Sequence, residues 1–140
     1  MPQARPSSGN RMNPFQYHRH LRRTVRYVDS HISEPIRAID VAREVGLSPS
    51  YFSAYFCKIT GTGFKDWLSA KRVASAKRLL GESDKPIYQI AEDAGFGSVS
   101  SFERVFKKLE QMSPSAYRRM QQTGAQKKTR MNSKDLPIGP

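Results

Sequence analysis

The 140 residues carry 24 Lys and Arg against 12 Asp and Glu, a formal charge of +12, with 37% hydrophobic content. A chain of this size buries one modest domain, and its single cysteine, Cys57, excludes a disulfide framework or a cysteine metal cluster. No stretch is apolar enough to cross a membrane or resembles a signal peptide, so a cytoplasmic protein with a polyanionic partner is expected.

In chain order, residues 1–14 are rich in Pro, Ser, Gly and Arg and read as a disordered tail. Leu21, Val25, Val28 and Ile32 then recur as i, i+4, i+7, i+11, the buried stripe of a first helix whose other face shows Arg19, Arg22, Arg23 and Arg26. His18 and His20 stand two apart, on different sides of a helix, which argues against a shared metal ion. Pro35 breaks the chain. A helix-turn-helix follows at about 38–60, with Ala38, Val41, Ala42 and Val45 facing inward on its first helix and Phe52, Phe56 and Ile59 on its second. Gly61 and Gly63 close that helix, and a connecting helix covers about 64–80. The cluster from Gly81 to Pro86 is a turn.

A second helix-turn-helix occupies about 87–110, with Ile87, Ile90, Ala91 and Ala94, then Phe102, Phe106 and Leu109, as its inward residues. It repeats the plan of the first. Each turn has Ala four residues before a Gly (Ala42/Gly46, Ala91/Gly95), then an apolar plug (Leu47, Phe96) and a capping Ser (Ser48, Ser98). Gly46 and Gly95 are 49 apart, whereas Phe56/Phe106 and Trp67/Tyr117 are 50 apart, so the second copy gains one residue between Gly95 and Phe102. Ser113-Pro114 starts a last helix anchored by Tyr117. The remainder, 122–140, is polar and basic and reads as a second disordered tail.

The stretch AGFGSVSSFERVFKKLEQMSPSAYRR resembles the signature of the AraC/XylS transcription regulators, in which GF, Phe, Arg, FK, SP and Tyr-Arg recur at this spacing. Trp67, Leu68, Arg72, Val73, Ala76, Leu79 and Leu80 are similar to that family's connecting helix. The resemblance covers about Leu21 to Met120 and implies an all-α domain, here 15–121, of seven helices: two helix-turn-helix units joined by one long helix. It implies sequence-specific binding of double-stranded DNA by a bacterial regulator, with a recognition helix from each unit in successive major grooves about 34 Å apart on one face. An activator acting as a monomer on DNA is the expected form, with RNA polymerase a second candidate partner.

Helical spacing offers Ser50, Ser53 and Ala54 to DNA bases from the first reader, and Val99, Ser100, Ser101, Glu103 and Arg104 from the second. Arg104 is the leading candidate, because a guanidinium bonds bidentately to guanine O6 and N7. Glu103 suits cytosine N4, and Val99 a thymine methyl. Lys58, Lys107 and Lys108 are candidates for phosphate. The chain departs from the family where relatives place Arg (Ala54), a basic residue (Cys57), a Ser or Thr cap (Arg37) and Gly (Gln111). The first two departures weaken base reading by the first unit; the last calls for a left-handed residue other than glycine. Arg72 is expected to pair with Glu92 or Asp93.

No spacing places a nucleophile beside a base, and no Gly-rich loop follows a strand, so neither catalysis nor a cofactor or metal is expected. Two rivals remain open. The chain is a stand-alone regulator or the DNA-binding fragment of a longer effector-sensing one; alternatively it is a protein-interaction module without specific DNA readout.

Overall fold

Proline and glycine set many of the helix boundaries. The computed structural model describes residues 14–124, and the expected tails otherwise lie outside them. Among the described residues there are seven helices and no strand: α1 Pro14–Ser30, α2 Ala38–Val45, α3 Pro49–Thr60, α4 Phe64–Glu82, α5 Ile87–Asp93, α6 Val99–Glu110 and α7, residues 114–124. Thus α7 continues into 122–124, past the expected end of the domain. The chain divides into two compact units, the first ending at Ser69 and the second starting at Ala70. Each has its own core.

In the first unit, Val28 of α1, Val41, Ala42 and Val45 of α2, and Phe52, Tyr55 and Phe56 of α3 are buried with Phe64 and Leu68 of α4. The aromatic centre is tightly arranged, with ring centroids 5.5 Å apart for Phe52–Phe56 and 5.1 Å for Phe56–Trp67. Such offset and edge-on pairs add to the transfer free energy of burying the rings. The stripe on α1 differs from the expected one at a single residue. Leu21, Val28 and Ile32 pack as anticipated, but Thr24 is fully buried where Val25 was expected. Tyr17, Leu21, Thr24 and Val28 have the same i, i+4, i+7, i+11 spacing on an adjacent face. The Thr24 hydroxyl donates to the His20 carbonyl at 2.8 Å, which satisfies the buried polar group.

In the second unit, Val73, Ala76 and Leu80 of α4 pack with Ile90, Ala91 and Ala94, and with Phe102 and Phe106 of α6. Tyr117 lies edge-on to Phe106 at 5.6 Å, and Pro114 is fully buried. Arg118 donates to the carbonyls of Leu80 (3.2 Å) and Ser83 (3.1 Å), satisfying acceptors that the end of α4 leaves open. Leu109, expected inside, is 43% exposed. Asp93, one of the acids suggested for Arg72, accepts from Lys85 at 2.7 Å and from Gln89 at 3.0 Å. Those bonds hold its carboxyl below the usual aspartate range.

Candidate nucleic-acid interface

The two turns are built alike. In the first, Gly46 has φ 81° and Leu47 N–H donates to the Ala42 carbonyl at 2.9 Å; in the second, Gly95 has φ 92° and Phe96 N–H donates to the Ala91 carbonyl at 2.9 Å. The Gly N–H donates to Arg43 or Glu92 respectively, completing a Schellman turn each time. Only a residue tolerant of positive φ closes such a turn without strain. The plug residues Leu47 and Phe96 pack against the core of their own unit. Ser48 Oγ then accepts from Tyr51 N–H at 3.2 Å and Ser98 Oγ from Ser101 N–H at 3.1 Å, so α3 and α6 start on equivalent caps. The added residue of the second copy is Gly97, which stands between plug and cap where the first copy has none. Both helices end in a left-handed residue, Gly61 at φ 79° and Gln111 at φ 66°. Gln111 is the one non-glycine with positive φ among the described residues.

With caps, cores and ends in register, position n of α3 corresponds to n + 50 of α6. The outer stripe of α3 is Ser50, Ser53, Ala54, Cys57 and Lys58, all exposed. That of α6 is Ser100, Glu103, Arg104, Lys107 and Lys108, also all exposed. These follow i, i+3, i+4, i+7, i+8, one continuous face per helix. Arg104 makes no side-chain ion pair or hydrogen bond among the described residues, so its five donors face solvent. Val99 and Ser101 sit differently. Val99 is partly buried and packs against the second core, and Ser101 is half-buried with its N–H on the Ser98 cap.

Several features were not visible in the sequence. Tyr55, on the inner side of α3, is buried, stacks on Tyr17 with centroids 5.8 Å apart, and donates its hydroxyl to the Tyr17 carbonyl at 3.2 Å. Burial, with Tyr17 nearby, pushes its hydroxyl up to about 12, so it stays protonated. Arg37 gives α2 no side-chain cap, as expected, but forms an ion pair with Asp40 at 3.1 Å that lowers the Asp40 carboxyl. His18 is exposed and His20 half-buried. Among the described residues no group of three His, Cys, Asp or Glu could hold a metal ion, and no helix is long and apolar enough to cross a membrane.

A helix-turn-helix domain family matches residues 41–120. The regulatory protein PocR of Salmonella typhimurium is 39% identical over 117 residues, which are 84% of this chain and 39% of PocR. The chain therefore spans well under half the length of that relative. Among solved structures, the DNA-binding domain of the global transcriptional factor AdpA in complex with a target DNA matches at TM-score 0.68 and 30% identity, over 71% of this chain and 90% of that one. The C-terminal domain of the response regulator AraT from Geobacillus stearothermophilus matches at 0.69 and 32%, over 79% and 88%. The two capped helix pairs and these relatives agree: the chain belongs to the AraC/XylS family of DNA-binding transcription regulators.

Proposed function

We propose that the chain binds double-stranded DNA sequence-specifically by placing α3 and α6 in successive major grooves. The observation that carries this reading is the outer stripe of α6, where Ser100, Glu103, Arg104 and Lys107 share one solvent face of a helix fixed by a cap and two buried phenylalanines. A groove-reading helix needs an uncovered polar face on a rigid backbone. Arg104 reads guanine and Glu103 accepts from cytosine N4. Ser100 and Ser101 support them from the first turn, with Val99 touching a thymine methyl through its uncovered edge. Lys107 and Lys108 hold phosphates. On α3, Ser50 and Ser53 offer short hydroxyls, Ala54 an apolar contact, and Lys58 a phosphate anchor.

Two readers in one chain let a monomer occupy two half-sites. Regulation is by activation, through contact with RNA polymerase on the cytoplasmic chromosome. Selection of bound duplexes from a random library tests the DNA reading. A bipartite motif, stronger in one half, is expected, and recovery of unenriched sequence would remove specific readout. A reporter downstream of the selected site then gives the sign of regulation.

A further inference from the structure

Ala54 leaves open a space on the reader face of α3. Between the start of α1 and the outer side of α3 lies a cleft of about 530 Å3, within the range of small-molecule sites. Its wall includes the stacked rings of Tyr17 and Tyr55, inclined by only 19°. Tyr51 also lines it, and the Tyr51 hydroxyl is buried with no hydrogen-bond partner among the described residues. A buried hydroxyl without a partner is costly, and a small shift of the Tyr51 side chain toward a ligand in the cleft would relieve it. Lys58 and Ser50, both exposed, lie at the rim.

The chemistry selects a ligand class. Tyrosine rings favour a flat aromatic group by offset or edge-on contact. Among the described residues, the only cation lining the cleft is Lys58, which suits one carboxylate rather than a phosphate dianion. Ser50, Ala54 and Lys58 also belong to the face assigned to DNA, so ligand and groove compete for the same surface. We propose that this cleft binds a small aromatic monocarboxylate, and that the bound acid keeps the first reader off DNA. The second clause rests on the proposed function; the first stands without it.

The test uses the full chain labelled with 15N and 3-phenylpropionate as probe, with acetate at equal ionic strength as control. Amide shifts concentrated at 50–58 and around Tyr17, and absent with acetate, are expected. Ala54→Leu, which projects a larger side chain into the cleft without adding charge, should abolish them. Lys58→Gln should weaken binding roughly fivefold, as for an exposed ion pair, while Lys58→Arg retains most of it. Shifts scattered over surface Lys and Arg, or full affinity in Ala54→Leu, would overturn the site. In a second arm, the probe should weaken binding of the selected duplex by the native chain but not by Tyr17→Leu, which removes an aromatic wall of the cleft at a residue outside the face assigned to DNA. Equal DNA affinity with and without saturating probe would overturn the competition. A native chain that binds no DNA even without probe would instead count against the proposed function, and the titration alone would then decide whether the cleft is a site.

Discussion

Ala54 and Arg104 stand on the same turn of two helices that share their caps, their buried Phe pairs and their left-handed ends. The backbone plan is duplicated; the solvent faces are not. After a shared first serine, Ser50 or Ser100, the first reader presents a hydroxyl, a methyl and a thiol before reaching Lys58, while the second presents a carboxylate and three cations. The difference teaches that the requirements for holding a recognition helix and for reading with it fall on separate residues. Holding uses the 3.6-residue stripe that faces the core, and the proposed reading uses the opposite stripe, so one can change without the other.

The largest expected effects test whether the two units are held alike. Phe56→Ala and Phe106→Ala each empty a fully buried site and should cost about 3–5 kcal/mol. Denaturant unfolding with hydrogen exchange on each variant gives the loss and its location. If Phe106→Ala cost far less than Phe56→Ala, the equivalence of the cores would fail.

Reading comes next. Arg104→Ala should lose roughly 1–3 kcal/mol of base discrimination in one half-site, whereas Ser53→Ala changes little and Ala54→Arg strengthens binding. Competition binding on the selected duplex and its point variants, with helicity checked by circular dichroism, decides it. A greater effect of Ser53→Ala than of Arg104→Ala would move the dominant reader to the first unit.

The helix ends give a smaller contrast. Gln111→Gly should stabilise, and Gly61→Ala destabilise, each by on the order of 1 kcal/mol, because an L side chain strains the left-handed backbone at both positions. Part of the gain at position 111 is offset by losing the bond from Gln111 Nε2 to the Lys108 carbonyl at 3.3 Å. Midpoints of urea unfolding measure both, and a destabilising Gln111→Gly would show that this bond outweighs the strain.

The smallest effect concerns pH, and only the first unit carries the group. Burial, then the charges of Arg19 and Arg23, lower the proton affinity of His20 below that of an ordinary histidine. The unfolded chain therefore binds the proton more readily, and stability falls as pH drops below about 6.5. Thermal melts between pH 7.5 and 5.5 should show a loss that His20→Gln reduces. An unchanged pH slope in His20→Gln would place the loss elsewhere.

Local chemistry made much of this molecule legible. Ala-x3-Gly, the apolar plug and the following Ser announce a Schellman turn and a cap, because the turn is satisfied within six residues of chain and the cap within four. The Phe pairs at i, i+4 announce the centre of each buried face. The edges of those faces were not legible. Ile59 and Leu109 are counterparts at the shoulder of α3 and α6, yet Ile59 packs on its core and Leu109 is exposed. Periodicity gives the direction of a shoulder residue and leaves open what lies beside it.

The residues by themselves determined two helix-turn-helix units, their register, their caps, the left-handed Gln111 and the polar stripe that carries Arg104. Those properties depend on backbone hydrogen bonds and helical phase, which are local. Only tertiary structure decided that Thr24 rather than Val25 is buried, that Tyr55 lies against Tyr17, and that Arg118 caps the end of α4. Each depends on a partner from a distant segment, 38 residues away for Tyr55 and for the Leu80 carbonyl that Arg118 meets, and helical phase holds no information about which partner arrives.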